Sequence, residues 1–378
     1  MAAKVSVVKC SSYSQDEVNA AVKRAIELIG GIDIKEGSTV LLKPNVLGNN
    51  KPEDCITTHP SVLDAVCRLL KNKKLKLIIG DSSGMGIAGG TKAAMITAGM
   101  GEIAKKYGAR LMPLESAECS IINNKNYGVL KEISISCVPL KAGYIINLPK
   151  LKTHTLVRYT GAVKNMFGVV PGGNKTNCHK IATTEERFAH LLLDIYQNVI
   201  PHLTIMDGVY GIEGNGPGSG GRKRKAGIIL ASKNGIALDF VASKIIGFKP
   251  LDIKTNRFAL QRKLFDGKIE VLGEKNLSVN FKKPVSIRHF IPPFMIKLVS
   301  KQIVAYPEIN NEKCKVCMTC VKACPAKTIK MKGKYPFVYK ENCINCYCCH
   351  ELCPYNAINL KRSFIIQLLS KLKNKLKL

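Results

Sequence analysis

Two cysteine runs near the C-terminus are the residues whose type and spacing point most directly to chemistry. Each run follows the pattern C-x2-C-x2-C-x3-C-P, which brings three thiolates to one cubane and sends the fourth cysteine to the other cluster. The spacing therefore predicts two [4Fe–4S] clusters. We expect one to be bound by Cys314, Cys317, Cys320 and Cys353, and the other by Cys343, Cys346, Cys349 and Cys324.

A pair of zinc knuckles is the alternative interpretation, but zinc sites favour two separated cysteine pairs. Three cysteines within seven residues, followed by a Cys-Pro pair, do not fit that pattern. Cys348 stands beside Cys349 and fits no ligand position, so it is either a spare buried thiol or a substitute ligand. Over about fifty residues the module resembles bacterial two-cluster ferredoxins. This resemblance implies electron transfer.

Lysine and asparagine side chains cluster beside glycine and proline in three segments of the first 170 residues. Two of these segments begin where a predicted strand ends, which is where open α/β sheets bind their ligands. The side chains predict a positively charged pocket rich in hydrogen-bond donors. They are Lys43, Asn45, Lys150, Lys152, His154, Lys164 and Asn165. The alternative is that each lysine is a surface charge and that His154 caps a helix.

Acid–base chemistry in this region would need carboxylates or histidines. The carboxylate candidates are Asp81, Asp207, Glu213 and Asp239, and the histidine candidates are His59, His154, His179 and His202. The adjacent pair Cys178-His179 suggests a metal, yet no second pair stands at ligand spacing. A metal site apart from the clusters is therefore disfavoured.

Three glycine-rich loops follow predicted strands. Gly80–Gly90 contains a GxGxxG fingerprint but lacks the acidic residue ~20 positions on that dinucleotide sites use. Anion binding at the helix N-terminus is favoured there. Gly168–Thr176 carries Asn174 where a P-loop needs lysine, which excludes an NTPase. The third loop, Asp207–Gly221 with the charged run Arg222–Lys225 after it, either clamps an anionic ligand or is a mobile surface loop.

These residues are expected on alternating strands and helices, which predict an α/β domain with a mixed, mostly parallel sheet. A small α+β ferredoxin-like domain with two clusters follows it. The strand candidates are Val5–Lys9, Thr39–Lys43, Leu75–Gly80, Tyr144–Leu148, Leu203–Met206 and Gly227–Ala231, with Ile133–Pro139 and Ile269–Gly273 as edge strands. The helix candidates are Gln15–Ile29, Pro60–Leu70, Thr91–Tyr107 and Thr184–Val199.

The predicted boundaries are an α/β domain at 1–285, a linker at 286–307, the ferredoxin-like domain at 308–360 and a basic tail at 361–378. In the tail, leucine and isoleucine form one helical stripe flanked by lysines. This pattern is typical of an interfacial helix attracted to anionic lipid. The alternative is that the stripe packs on the protein itself. The tail is too short to span a bilayer.

The chain carries 58 lysine and arginine residues against 27 acidic ones, a formal charge of +31. This excess favours anionic partners, unless it reflects only a lysine-rich composition. Nucleic acid is excluded because there is no tryptophan and aromatic residues do not interleave with basic runs. The predicted ferredoxin-like domain is itself basic, so we expect an acidic electron carrier such as ferredoxin or flavodoxin.

The segments LKPN, GDSSG, NLPKLKTH, GAVKNMFG and DGVYGIEG resemble the family known as domain of unknown function 362. The resemblance extends from about Lys4 to Leu360. It implies an anaerobe-like iron–sulfur cluster-binding protein with a C-terminal two-cluster ferredoxin module, and it supplies no established substrate. The N-terminus lacks a secretory signal pattern. We therefore expect a cytoplasmic protein, with the tail as a possible contact to the inner face of the membrane.

Three functions stay open on these observations. The first is an oxidoreductase that delivers electrons from the two clusters to an anionic substrate or cofactor in the α/β domain. Its catalytic candidates are Asp81, Lys150, Lys152, His154, Lys164 and Asn165. The second is a non-catalytic electron carrier or adaptor, and the third is a cofactor-maturation factor.

Overall fold

The computed structural model describes residues 2–84, 90–284 and 306–361. Most of the expected linker, nearly all of the expected tail and residues 85–89 of the first glycine-rich loop lie outside the described residues. The domain boundaries drawn from the sequence stay predictions. Within the described ranges, no helix has the length and apolar character needed to cross a membrane.

A ten-stranded mixed sheet forms the centre of the α/β domain. Its strands are β1 (Ala3–Lys9), β2 (Thr39–Pro44), β3 (Lys76–Asp81), β4 (Arg110–Pro113), β7 (Tyr144–Leu148), β8 (Lys150–His154), β9 (Arg158–Thr160), β10 (Leu203–Gly214), β11 (Gly221–Ser232) and β12 (Ile269–Gly273). The main path of the sheet runs β12-β1-β11-β10-β7-β2-β3-β4, and β8 extends it by pairing with β10 and β9. Most neighbouring strands are parallel, which confirms the expected fold class. A separate ribbon pairs β5 (Cys119–Asn123) with β6 (Glu132–Ser136).

Helices cover both faces of this sheet. They are α1 (Gln15–Leu28), α2 (Pro60–Leu70), α3 (Gly90–Thr97), α4 (Met100–Tyr107), α5 (Cys137–Lys141), α6 (Ala162–Asn165), α7 (Gly172–Ile181), α8 (Glu185–Asn198), α9 (Gly235–Ile245) and α10 (Lys254–Gln261). Alternate residues of one strand enter different cores: Leu41 packs into the core with α8 and α9, whereas Val40 and Leu42 pack into the core with α1 and α2. The period of two along a strand divides the apolar residues between the two faces.

Local chemistry explains where several helices begin. Thr184 accepts a hydrogen bond from the backbone of Arg187 before α8, and Asn234 does the same for Ala237 before α9. Pro60 occupies the first position of α2, where a missing N–H costs nothing. Gly99, in the left-handed region at φ 76°, separates α3 from α4. The single helix expected over Thr91–Tyr107 is therefore two helices.

The structure corrects four further expectations. The segment Lys150–His154 is not a loop but strand β8. The third glycine-rich loop shrinks to 215–220, because β10 and β11 extend into an antiparallel hairpin and the charged run Arg222–Lys225 lies exposed on β11. Much of Gly168–Thr176 is helical. Ile133–Pro139 belongs to the separate β5–β6 ribbon and to α5, not to an edge of the main sheet. The expected edge strand Ile269–Gly273 is confirmed.

The ferredoxin-like module has two small antiparallel ribbons and two short helices. The ribbons pair β13 (Tyr306–Ile309) with β16 (Ile358–Lys361) and β14 (Ile329–Lys332) with β15 (Tyr335–Val338), and the helices are α11 (Thr319–Ala323) and α12 (Cys348–Leu352). Its buried core contains few apolar side chains beside Cys320, Cys349 and Cys353. A core this small calls for further stabilisation, which clusters bound by its cysteines would supply.

Helix α12 of the module packs on the β10–β11 loop of the α/β domain. Ser219 donates a hydrogen bond from Oγ to the Cys353 carbonyl oxygen over 2.7 Å. His350 Nε2 lies 3.4 Å from the Asn215 carbonyl oxygen. A Cβ on Gly218 would overlap with the Glu351 carbonyl. The loop that the sequence left between a ligand clamp and a mobile surface loop is therefore a docking surface for the module.

Candidate functional site

The cysteines of the module line two small cavities, in the groups that their spacing predicts. Cys314, Cys317, Cys320 and Cys353 line one cavity. Cys324, Cys343, Cys346 and Cys349 line the other. Among the described residues, no three His, Cys, Asp or Glu side chains converge on a single metal ion. Thiolates grouped by four around a wider cavity fit a cluster with several irons.

The backbone around these cavities repeats with the cysteine pattern. The residues that follow at equal positions in the two runs share left-handed conformations: Val316 and Asn345, Met318 and Tyr347, Lys327 and Asn356. Successive N–H groups in such loops form anion-binding concavities of the kind found at Fe–S sites. Backbone N–H groups also donate to sulfur, from Thr328 to Cys324 Sγ over 3.3 Å and from Ala357 to Cys353 Sγ over 3.2 Å. The residues present therefore fit two [4Fe–4S] clusters.

A third, larger cavity lies where the module meets the α/β domain. It encloses about 810 Å³ outside the protein atoms, part of it open to solvent. The α/β domain lines it from β3, β8, β9, α6, α7 and the segment that follows β2, and the module contributes Ala323, Pro325, Cys348, Glu351 and Leu352. Pro325 lines both this interdomain cavity and the cavity of the second cysteine group. One residue thus separates the two spaces. Cys348 faces the interdomain cavity and lines neither cysteine cavity.

A chain of hydrogen bonds joins the three lysine- and asparagine-rich segments at this cavity. Lys152 Nζ donates to Asn45 Oδ1 over 2.7 Å, and Asn45 Nδ2 donates to Asn165 Oδ1 over 3.0 Å. Asn165 Nδ2 donates in turn to Asn147 Oδ1 over 2.7 Å. Lys152, Asn165 and Asn147 are buried, and Asn45 is half-buried. The network fixes the amide groups and holds the Lys152 ammonium against one wall.

Lys43 and Asp81 form a buried ion pair behind the same wall. Their Nζ–Oδ1 distance is 2.7 Å, and both side chains are almost fully buried. Asp81 also accepts hydrogen bonds from the backbone N–H groups of Val46 and Ser82. Because its oxygens are occupied, Asp81 serves as an anchor for the wall rather than as a free base.

Three lysines line the cavity without a carboxylate partner at ion-pair distance among the described residues: Lys152, Lys164 and Lys175. Burial lowers the pKa of Lys152 well below its usual range, and the charge of Lys164 lowers it further. Burial also lowers the pKa of Lys164, and that of Lys175 to about 8. Buried groups with shifted pKa values that lie together in a cavity mark a candidate functional site.

Helix α7 presents one face to the cavity. Gly172, Lys175, Thr176 and His179 line it, at positions three to four residues apart that share a helix face. Lys175 donates from Nζ to the Ser82 carbonyl oxygen. His179 packs on Phe188 with ring centroids 4.9 Å apart, and burial lowers its pKa to about 3. His179 is therefore a neutral imidazole at this wall.

The module inserts one carboxylate into the interdomain cavity. Glu351 Oε1 lies 3.4 Å from His154 Nε2, and both side chains are buried. Burial raises the pKa of Glu351 to about 7, while Lys164 and Lys152 oppose that rise. His154 accepts the Leu156 backbone N–H at Nδ1, so it caps a turn, and burial lowers its pKa.

The structure separates the sequence candidates into two groups. Asp81, Lys152, Lys164 and Asn165 line the interdomain cavity, and so does Asn45. Lys150 and His154 do not line it. Lys150 lies behind the wall, where its Nζ is 2.8 Å from Asp207 Oδ2 and both side chains are fully buried.

Most of the other acid–base candidates accept hydrogen bonds from backbone N–H groups. Asp239 accepts the N–H groups of Ala162 and Val163, and Glu213 accepts that of Lys282. His59 accepts the Ser61 N–H, and His202 accepts that of Ile145. Of the four histidines that the sequence offered for acid–base chemistry, His179 alone lines the cavity.

The site candidates drawn from the sequence left out five polar residues of the cavity wall: Ser82, Thr160, Lys175, Thr176 and Glu351. The signal for Lys175 was its spacing from Gly172 and His179, which a helix places on one face. No local pattern could have indicated Glu351, because its position depends on how the module docks.

Comparison with known proteins agrees with the sequence resemblance. A family model described as domain of unknown function (DUF362) matches residues 40–244, and a 4Fe-4S dicluster domain matches residues 306–354. A thylakoid-associated protein of Synechocystis sp. is 34% identical over 265 residues, covering 68% of this chain and 78% of the relative.

Two solved structures show only distant likeness. A lactate racemase apoprotein from Thermoanaerobacterium thermosaccharolyticum matches at a TM-score of 0.34 and 12% identity, over 54% of this chain and 50% of that one. A Thermotoga maritima protein matches at a TM-score of 0.38 and 11% identity, over 67% of this chain and 60% of that one. The chain thus spans half to 60% of these two proteins, and scores this low carry no argument. On the family model and the Synechocystis relative, the chain belongs to the DUF362 family and carries a 4Fe-4S dicluster domain.

Proposed function

We propose that the protein is an iron–sulfur oxidoreductase that reduces an anionic substrate or cofactor bound in the interdomain cavity. The observation that supports this most is the shared wall. Pro325, which follows the predicted ligand Cys324, lines both the cavity and the space enclosed by the second cysteine group. Three lysines without a carboxylate at ion-pair distance among the described residues line the same cavity. These observations support an electron source next to an anion-binding pocket.

The chain's own residues have three tasks in this proposal. The two cysteine groups hold the clusters, which supply one-electron transfer when bound. Lys152, Lys164 and Lys175 bind and orient the anion. The docked helix α12 covers the cavity from the module side and limits access of water, which strengthens electrostatic contacts inside.

The test begins with protein purified without oxygen and reduced chemically. We expect a small anionic acceptor, or a compound released from the denatured protein, to reoxidise the clusters. Lys164→Met is expected to slow this reoxidation more than tenfold while the electron paramagnetic resonance spectrum of the clusters stays the same. Lys180→Met, which changes an exposed lysine on α7, is the matched control. If both variants reoxidise at the wild-type rate with every acceptor, an electron-carrier or maturation role replaces the enzyme.

Peripheral membrane contact is a separate proposal for residues 361–378. The basic amphipathic pattern of this segment supports it, as does the relative described as thylakoid-associated. We expect the full chain to co-sediment with anionic lipid vesicles and a variant lacking residues 364–378 to stay in the supernatant. Retention of the shortened chain on the vesicles would contradict this role.

A further inference from the structure

Two buried lysines near the interdomain cavity add no net charge to it, because each is paired with an aspartate. Lys43 is paired with Asp81 at 2.7 Å and Lys150 with Asp207 at 2.8 Å. All four side chains are almost fully buried, so each pair is neutral to its surroundings. The charge available to a ligand must come from the remaining groups in the wall.

The remaining charged groups of the wall leave an excess of positive charge. Lys152, Lys164 and Lys175 face the cavity, and Glu351 is the carboxylate that faces them. Lys152 and Lys175 donate to neutral oxygens, of Asn45 and of Ser82 respectively. Three lysines against one carboxylate give the wall a formal charge of about +2 when all four groups are ionised, a cost that an anion bound there would offset.

Neighbouring charges reduce this excess but do not remove it. Asp81 and Lys43 act on Lys175 with opposite signs, and Glu115 behind the wall opposes the charge of Lys175. His154 and His179 are neutral, because burial holds the pKa of each imidazole far below its usual range.

The wall also contains buried hydroxyl groups with no hydrogen-bond partner. Ser82 Oγ and Thr160 Oγ1 line the cavity at 2% and 3% residue exposure, and neither has a partner among the described residues. A buried hydroxyl without a partner is costly, and such groups call for an acceptor from outside the chain. Oxygen atoms of an anion in the cavity would supply that acceptor.

We infer that the interdomain cavity is a binding site for a dianion. Lys152, Lys164 and Lys175 hold its two negative charges, and its oxygens accept hydrogen bonds from the hydroxyls of Ser82 and Thr160. The two charges are either on one group, as in a phosphate monoester, or on two, as in a dicarboxylate. This inference rests on the proposed function in taking the same cavity as the substrate site.

The test is calorimetric titration of the full-length protein with its clusters, without oxygen, using inorganic phosphate, succinate and acetate. We expect at least one of the two dianions to bind ten times more tightly than acetate. Binding of phosphate alone would indicate that both charges are on one group, and binding of succinate alone would indicate two carboxylates. The inference would be overturned if acetate bound as tightly as both dianions, or if neither dianion bound.

Variants connect the binding to the named side chains. Lys175→Met and Lys164→Met are each expected to weaken dianion binding at least tenfold, and Lys180→Met is expected to leave it unchanged. Equal losses in all three variants would assign the binding to the general positive charge of the chain and overturn the site. Because each cavity substitution removes a cation that lacks a carboxylate partner, the variants are expected to fold. Iron content and thermal midpoint verify this.

Binding and electron transfer are measured separately, so the two proposals can fail independently. Dianion binding without reoxidation of reduced clusters by any acceptor would keep the site and reject the oxidoreductase. Reoxidation by an acceptor with a single negative charge, with a rate that depends on Lys164 but no dianion binding, would keep the oxidoreductase and reject the dianion.

Discussion

Burial acts on the lysines of the α/β domain in two ways, depending on whether a carboxylate is in contact. Lys43 and Lys150 each meet a buried aspartate, so removal of the lysine leaves that aspartate uncompensated. Lys152 and Lys175 meet neutral oxygens, so removal of the lysine relieves a buried charge. The same substitution should therefore change stability in opposite directions at the two kinds of site.

Lys150→Met is expected to lower the free energy of unfolding by about 3–5 kcal/mol, the usual cost of breaking a buried pair. Asp207 would keep its hydrogen bonds from Tyr13 and from the His59 backbone but lose its counter-charge. Chemical denaturation with a backbone signal measures this. Lys74→Met is the control, because Lys74 and Glu36 form an exposed pair that is worth ~1 kcal/mol or less. Equal losses in the two variants would contradict a structural role for Lys150.

Lys175→Met should have the opposite effect, and the effect should depend on pH. The pKa of Lys175 falls to about 8 in the folded protein, mainly through burial. Between pH 8 and its usual range the folded state binds fewer protons than the unfolded chain, so wild-type stability rises with pH in that window. Below pH 8 the buried charge costs the wild type up to about 3 kcal/mol. The groups that face Lys175, including Asp81 and Glu115, are the same in both proteins.

The expected result is a variant that is more stable than the wild type at pH 7, with a difference that shrinks as pH rises from 8 to 10. Denaturation curves at each pH, for the wild type, Lys175→Met and Lys180→Met, measure it. A wild-type-to-variant difference that stays constant across this range would show that Lys175 does not titrate there.

Residue type predicted part of this site from the sequence. Lysine and asparagine beside glycine and proline loops correctly indicated Asn45, Lys152, Lys164 and Asn165 as a group that converges. The sequence could not distinguish Lys150 from Lys152, two residues apart on β8, because their partners come from distant segments. Which lysine is neutralised depends on tertiary contacts that have no local pattern.

At the scale of elements, the segment 161–168 carries Lys164 and Asn165 into the cavity between two anchored ends. At one end Asp239 accepts the N–H groups of Ala162 and Val163. At the other end Gly168 approaches the Lys43–Asp81 pair, and Ser82 donates its N–H to the Gly168 carbonyl. The segment is therefore positioned by buried carboxylates rather than by its own short helix.

Gly168→Ala is expected to break this arrangement. A Cβ at this position would overlap with the Asp81 carboxylate, and Lys43 Nζ lies beside it. Separating the buried pair should cost about 3 kcal/mol of unfolding free energy and weaken anion binding. The control is Gly173→Ala on α7, where an added Cβ meets nothing within 4 Å. Wild-type stability in Gly168→Ala would show that the segment accommodates a side chain and is not held as described.

The periodicity of apolar residues predicted the helices and strands that have a local sequence pattern. It did not predict the strands that form only because they pair with another strand. Strands β1, β2 and β7 and helices α1, α2 and α8 match their predicted ranges within about two residues. The extension of β10 and β11 could not be predicted, because Arg222–Lys225 is a charged run that becomes a strand only by pairing with Tyr210–Glu213. Strand β8 was hidden because Lys150, Lys152 and His154 are polar residues in a buried strand.

For the whole molecule, the interdomain cavity depends on how the module docks. Asn45 and Glu351 line the same space although they lie near opposite ends of the chain. The cysteine spacing predicted the module, but no sequence pattern indicated which face of it meets the α/β domain. Each of the two hydrogen bonds that join the 215–220 loop to the module pairs a side chain with a backbone carbonyl, and glycine in the loop admits the close approach.

Gly218→Ala tests whether this docking forms the cavity. The added Cβ would overlap with the Glu351 carbonyl, a backbone atom that cannot move aside without shifting α12. Overpacking of this kind costs ~1–3 kcal/mol, which corresponds to a rise in opening of the interface of roughly fivefold to more than a hundredfold. Hydrogen exchange should therefore speed up in α12 and in the 215–220 loop, and dianion binding should weaken. Iron content is expected to stay at the wild-type level, because the cysteine cavities lie inside the module.

Gly101→Ala on α4 provides the control for that experiment, since its Cβ would make only an ordinary contact with Ile96. Faster exchange in Gly218→Ala with unchanged dianion binding would mean that the lysines bind the anion without help from the module. Unchanged exchange would mean that α12 does not pack on this loop in solution, and Glu351 would then no longer face the lysines. Slower cluster reoxidation together with faster exchange is the result expected if electrons cross at this contact, because an electron from the module must reach a ligand on the lysine side.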